Sequence, residues 1–287
     1  MNKNIQILVL GTVQDGGYPH TGCNNICCKR IWGNYLLRRN VASIALIDHK
    51  VQKYWIIDIT PDFKIQYQMI NEYLNKEYCF SGIFLTHSHI GHYSGIFELG
   101  LEVLNSNNIP VYAMPKLMKF LKSNPSIDFL FKSKNIKSIK INNKEKIILS
   151  DDVSINSFLV PHRNEMSETV GYKIKTMDQS VIYIPDIDSW HEWNENIINV
   201  IENNNLIFID GTFYSKDELK HRNIDNVPHP SILDSLELFE NIGREKNKIY
   251  FTHLNHTNKV LDKDSTEYKN LIRSDFNILE DGQVFNI

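Results

Sequence analysis

A chain of 287 residues exceeds the usual single-domain size but fits one large domain or two fused halves, so a substantial core is available and marginal mini-protein physics is excluded. Hydrophobic residues at 42%, aromatics at 11% and charges at 23% are globular values, which exclude collagen-like, low-complexity and disulfide-scaffold classes. The net charge of −3 gives the chain as a whole no electrostatic footprint for nucleic acid or anionic membrane.

The halves differ. Residues 1–150 carry 18 Lys and Arg against 10 Asp and Glu, and residues 151–287 carry 13 against 24. The basic surplus comes mainly from residues 116–146, which read as lysine-rich solvated surface. No stretch approaches the roughly 18 apolar residues of a spanning helix, and residues 5–10 are too short for a secretory signal. A cytoplasmic location is expected. Three of the four cysteines crowd into Cys23, Cys27 and Cys28, and in a reducing compartment such clustering points to metal more than to disulfide, whereas Cys79 reads as a buried thiol.

With no internal repeat and no linker, a single domain over residues 1–287 is the default. In chain order, residues 5–10 (IQILVL), 43–47 (SIALI) and 54–59 (YWIIDI) read as buried strands, and 64–74 as a helix. The apolar run 82–85 ends in a histidine-rich loop, and 96–104 after it has helical periodicity. Residues 111–113 are a strand and 116–122 a helix. Strands at 154–160, 170–174, 181–184 and 206–209 each end in a polar residue; 231–242 is amphipathic, and 248–251 is a further strand. Two β-rich halves, each with helices, make a layered α/β sandwich.

The chemistry concentrates in the loop HSHIGH. At a strand end, residues two apart point the same way, so His87 and His89 can bite one cation while His92, at the start of the next helix, reaches a neighbouring one. The other ligands must come from other strand ends: His162 after residue 160, Asp186 after 184, Asp210 after 209 and His253 after 251. Each alone reads as a satisfied polar terminus; together they form a coherent set.

The order HSHIGH, Pro161-His162, IPDID (184–188) and THLNH (252–256) resembles the metallo-β-lactamase superfamily. Within it, LGTVQDGGYPHTGC near the start, DGTFY (210–214), VPHP (227–230) and HLNHTN (253–258) resemble the pyrroloquinoline quinone biosynthesis protein B branch. The resemblance implies a four-layer αββα sandwich of the metallo-β-lactamase type with metal along one rim. By position it implies His87, His89 and His162 on a first metal, His92 and His253 on a second, Asp186 bridging them, and Asp58 accepting a hydrogen bond from a ligand imidazole. Related phosphodiesterases carry an acidic or histidine-containing segment at DGTFY, making Asp210 the candidate for protonating a leaving group. One departure is Gly91: the usual loop is His-x-His-x-Asp-His, whose Asp ligates the second metal, so the second cation should bind more weakly here unless Asp188, Asp210 or His256 substitutes. A structural zinc is implied as well. Cys23 and Cys28 match the outer positions of the family's Cys-x-Cys-x-x-Cys, the middle one is Asn25 with Cys27 adjacent, and His229 matches the distant histidine ligand.

The leading expectation is a metal-dependent hydrolase acting on a small ester or phosphodiester through a metal-bound hydroxide, with one or two Zn2+, Fe2+ or Mn2+ at the active site and one structural Zn2+. The alternatives are a metal-dependent oxidative step in making a peptide-derived redox cofactor, and a degenerate sandwich serving as a non-catalytic binding module. The expected partner is a small-molecule substrate, with membrane and nucleic acid argued against and a homodimer left open.

Overall fold

Segments rich in Ile, Val and Tyr lose little side-chain freedom on a pleated surface and pack well against its neighbours, and they supply the frame of this chain. The computed structural model describes residues 4–75, 77–219 and 228–287, and Val227 of the VPHP segment lies outside them. In chain order the strands are β1 (Ile5–Gly11), β2 (Ser43–Asp48), β3 (Lys53–Ile57), β4 (Cys79–Phe84), β5 (Ile109–Ala113) and β6 (Ile136–Lys140). They continue as β7 (Lys146–Ile148), β8 (Ser154–Leu159), β9 (Val170–Lys175), β10 (Ser180–Ile184), β11 (Leu206–Asp210), β12 (Ile249–Thr252), β13 (Asn277–Ile278) and β14 (Val284–Asn286). The α-helices are α1 (Ile26–Trp32), α2 (Phe63–Leu74), α3 (Ile90–Tyr93), α4 (Pro115–Ser123), α5 (Pro125–Lys132), α6 (Ile197–Glu202), α7 (Ile232–Leu238) and α8 (Thr266–Arg273).

Among the described residues two seven-stranded sheets result, ordered β14-β1-β2-β3-β4-β5-β6 and β13-β12-β11-β10-β9-β8-β7. They are built alike. In the first, β14, β1, β2 and β3 pair antiparallel and β3 to β6 pair parallel; in the second, β7 to β10 pair antiparallel and β10 to β13 parallel. The buried residues divide accordingly into three clusters. Ile7, Ile44, Phe84, Tyr172, Tyr183 and Phe208 lie between the sheets; Ile56, Phe63, Ile70, Leu117, Leu121 and Ile127 hold helices on the first sheet; and Ile182, Ile197, Ile201, Ile232, Phe251 and Leu271 hold helices on the second. This is the four-layer αββα sandwich that the resemblance implied.

Several boundaries differ from the sequence reading. Residues 96–104 are not an α-helix: Ser94–Leu99 is a 3-10 turn, Gly100 leaves helical geometry, and Leu101 and Val103 are exposed. The amphipathic segment 231–242 is helical only over α7, opened by a capping box between Ser231 and Asp234. The lysine-rich surface contains β6, an edge strand whose exposed Lys137 and Lys140 discourage pairing with another chain. Cys79, expected inside, is exposed at the start of β4.

The sheets are stitched together beside the histidine loop. Val170 N–H donates to the Thr86 carbonyl at 3.1 Å, and the buried Tyr172 hydroxyl donates to the Leu85 carbonyl at 2.7 Å. Removing that hydroxyl in Tyr172→Phe should lower the unfolding free energy by about 1 kcal/mol, seen as a lower urea midpoint; an unchanged midpoint would mean the bond contributes nothing net.

Candidate metal centre

Ligand-type side chains gather where strands of both sheets end. Asp58 follows β3 with a left-handed φ of 63°, a conformation that Asp tolerates better than most residues. Thr86 to His92 follow β4, His162 follows β8, Asp186 and Asp188 follow β10, Asp210 ends β11, and His253 follows β12 with a φ of 59°. Strand ends are the fixed points from which loops carry functional groups in such sheets.

Two ligand sets form around Asp186. His87, His89 and His162 lie together, with His162 Nε2 3.2 Å from His89 Nδ1. His92 Nε2 and His253 Nε2 stand 3.0 and 3.3 Å from Asp186 Oδ2, and His162 Nε2 stands 3.6 Å from its Oδ1. A cation with ligands at about 2.0–2.2 Å in a tetrahedron has ligand–ligand edges of roughly 3.3–3.6 Å, so these separations suit metal coordination. Moreover, His87 Nε2, His92 Nε2, His253 Nε2 and Asp186 Oδ2 are buried with no hydrogen-bond partner. Four such atoms converging on one spot would be costly in a site meant to stay apo.

The opposite ring nitrogens explain why those atoms face inward. Asp58 Oδ2 accepts from His92 Nδ1 at 2.7 Å, and Asp188 Oδ1 accepts from His162 Nδ1 at 2.7 Å. Thr86 Oγ1 gives its proton to Asp58, so its lone pair takes the Nδ1–H of His87 at 2.9 Å. Thr212 Oγ1 likewise donates to Asp210 at 2.8 Å and takes the Nδ1–H of His253 at 3.0 Å. Each bond sets the tautomer that leaves Nε2 as a lone pair. Burial holds His87 well below the usual imidazole range and His89 down to about 4, so both are neutral ligands at pH 7. Burial alone would raise Asp186, but the surrounding His253, His162 and His92 outweigh it and hold the carboxyl well below its usual range.

Three expectations need correcting. Asp210 is fully buried and committed: Oδ1 accepts from Thr212 N–H and O–H, and Oδ2 from Ile187 N–H and His229 Nδ1. It is not placed to protonate a leaving group. His229 is not with the cysteines; its Nδ1 is 2.6 Å from Asp210, and it neighbours His162 and Asp186. Burial opposes a charge on that ring, but Asp210 prevails and pushes it up to about 9. Asp188 and His256 do not replace the missing loop carboxylate, since Asp188 holds His162 and His256 faces the cysteines. The residue that sequence reading missed is Asp15, whose Oδ1 is 3.4 Å from His92 Nε2 and 3.6 Å from His253 Nε2. Burial would raise its carboxyl, yet His253 and His92 hold it well below the usual range. The signal that could have found it was Gly91, the position at which the loop lacks its usual carboxylate.

A second cluster joins Cys23, Cys27 and Cys28, at and just before α1, to His256. Cys23 Sγ and Cys27 Sγ are 3.7 Å apart, and Cys27 Sγ and Cys28 Sγ lie 3.5 and 3.4 Å from His256 Nδ1. A tetrahedral zinc with bonds of about 2.3 Å to sulfur and 2.0–2.1 Å to nitrogen has edges of about 3.8 and 3.5 Å. Burial and the two neighbouring sulfurs push the Cys28 thiol up to about 12.

Beside His229 opens a cleft of about 520 Å³ whose walls include Asp188, Trp190, Lys216, Asp234 and Glu237. Among the described residues no helix is long and apolar enough to cross a membrane.

Residues 56–254 match the family model described as the beta-lactamase superfamily domain. Coenzyme PQQ synthesis protein B of Xanthomonas campestris pv. campestris (strain B100) is 23% identical over 311 residues, covering 97% of this chain and 98% of that protein. The crystal structure of Zn(2+)-bound PqqB from Methylobacterium extorquens superposes with a TM-score of 0.81 at 21% identity, covering 98% of this chain and all of that one. A diphosphatase from the PhnP family superposes with a TM-score of 0.70, also at 21% identity, covering 98% and 96%.

Because a thiol must lose its proton to bind metal, acid competes with the cation at the cysteine cluster. Each thiol still protonated in the free protein should lower zinc affinity about tenfold for each unit by which pH falls, measured by chelator competition between pH 8 and pH 5. Cys23→Ser should release one metal equivalent while those at the histidines stay, by elemental mass spectrometry of the whole chain.

Proposed function

Since this chain belongs to the beta-lactamase superfamily and is an enzyme of the metallo-β-lactamase fold, we propose that it is a metal-dependent hydrolase of a small ester or phosphodiester. The observation that carries this reading is Asp186, set between two groups of inward-facing imidazoles and flanked by the His229–Asp210 pair. His87, His89 and His162 would hold one divalent cation, and His92, His253 and Asp186 a second, with Zn2+, Mn2+ or Fe2+ suited to such nitrogen and carboxylate ligands. A cation bound there would supply the chemistry of a water with its pKa lowered from about 15.7 to about 7 and of a polarised carbonyl or phosphoryl oxygen. A structural Zn2+ would sit among Cys23, Cys27, Cys28 and His256.

The remaining roles fall to the chain itself. Asp58, Thr86, Asp188 and Thr212 keep the ligand rings in one tautomer and orientation. His229, braced by Asp210 and lining the cleft, is the group suited to give a proton to the departing oxygen. The cleft's modest volume fits a small-molecule substrate, and the hydrolase reading draws support from the likeness to a diphosphatase.

A second reading rests on a separate observation, the match over 97% of the chain to proteins named coenzyme PQQ synthesis protein B. Under it the site would carry out an oxidative step on a peptide-derived precursor, with dioxygen as the oxidant and Fe2+ as the metal the histidines would hold. The two readings separate cleanly on metal and oxygen. Zn2+-loaded protein should hydrolyse nitrophenyl esters or phosphodiesters in an anaerobic chamber; turnover confined to Fe2+ protein and accompanied by oxygen uptake would sink the hydrolase reading.

Two variants test the assigned roles. Asp188→Asn should cost about 10–100-fold in metal affinity or activity by loosening His162. For His229→Gln, general-acid loss should cost about 10²–10⁴-fold on a substrate with a poor leaving group and far less on a nitrophenyl substrate; equal losses on both would remove His229 from that role.

A further inference from the structure

The second ligand set has the two imidazoles of His92 and His253 and a shared oxygen of Asp186, and at position 91 there is no side chain to complete it. Asp15 stands where that side chain would go. A β-carbon built at Gly91 would fall 2.3 Å from Asp15 Oδ1, 2.5 Å from its Cγ and 2.8 Å from its Cα. The last is a backbone atom that cannot swing aside. Gly91 lies within α3, so its conformation is helical and requires no glycine; the absent side chain makes room for Asp15. The four atoms Asp15 Oδ1, His92 Nε2, His253 Nε2 and Asp186 Oδ2 have cross distances of 3.0–3.6 Å wherever a carboxylate oxygen meets an imidazole nitrogen.

The loop bearing Asp15 is also built onto the loop bearing His253. Val13 forms a parallel bridge with Leu254, Gln14 N–H donates to the Leu254 carbonyl at 3.0 Å, and Leu254 N–H donates to the Thr12 carbonyl at 2.9 Å. Asp15 thus comes to the site on backbone that is fixed relative to His253, as a metal ligand must be.

Resting on the two-cation reading above, we propose that Asp15, from the N-terminal glycine-rich loop, is the carboxylate ligand of the second cation, and that Gly91 and Asp15 are a mutually exclusive pair. The carboxylate reaches the same place from a different part of the chain.

Zn2+ binding, read independently of turnover, tests this. Full-length wild type should take up three equivalents by elemental mass spectrometry after dialysis: one at the cysteines and two at the histidines. Asp15→Asn preserves shape but removes the charge, and should weaken the last equivalent by at least about tenfold in chelator competition. The double variant Asp15→Gly with Gly91→Asp returns a carboxylate from the loop side and should restore it. Circular dichroism confirms that each variant is folded. Third-equivalent affinity unchanged in Asp15→Asn overturns the assignment of Asp15 while leaving the two-cation reading intact. A wild type holding only one equivalent besides the cysteine-bound ion overturns both.

Discussion

An imidazole is a useful metal ligand only when one nitrogen carries a proton with somewhere to go and the other presents its lone pair. That constraint organises this molecule. His87, His92, His162 and His253 each spend Nδ1 on Thr86, Asp58, Asp188 and Thr212, and each turns Nε2 toward Asp186. The supporting oxygens are buried or nearly so, and they sit at strand ends whose positions the inter-sheet core fixes. The hydrophobic packing of Phe84, Tyr172, Tyr183 and Phe208 therefore reaches the site through these hydrogen bonds.

The two halves solve the same local problem with the same parts. At the end of β3, Asp58 takes the N–H and hydroxyl of Thr86 and the Nδ1 of His92; at the end of β11, Asp210 takes the N–H and hydroxyl of Thr212 and the Nδ1 of His229. In each case the threonine passes the constraint on to a further imidazole, His87 or His253. The devices match, but their products differ. His92 faces the shared carboxylate of Asp186, whereas His229 lines the neighbouring cleft.

The cysteine cluster lies outside the chemistry and bears on it through the backbone. Cys23, Cys27 and Cys28 meet His256 across more than two hundred residues, and the loops so joined are those that carry Asp15 and His253. His20 reinforces the junction, its N–H donating to Cys28 Sγ at 3.3 Å and its ring lying 4.3 Å from that of His256. A closed tetrahedral ion there would restrain both loops at once, which is the usual contribution of a structural metal.

What was legible in the sequence was local. HSHIGH is read without coordinates because a strand-end spacing of two and three residues suffices to aim several rings at one place, and the longer strands before and after it declare themselves by β-branched content. Helices of six to eight residues such as α1, α5, α6 and α8, and the short strands β7, β13 and β14, escaped because so few residues make no periodicity.

Distant partners were another matter. Nothing local tells His229 from His256; the fold alone sends one to Asp210 and the other to three sulfurs. Asp15 lies in LGTVQDGGYPHTGC, which sequence alone tied only to the resemblance, and its placement depends on the space left by a residue seventy-six positions away. Sequence alone determined which side chains could bind a cation and which strand ends would present them, because those properties belong to residue chemistry and backbone period. Only the tertiary structure decided which of them meet, because convergence depends on how two sheets pack and where their loops are tied.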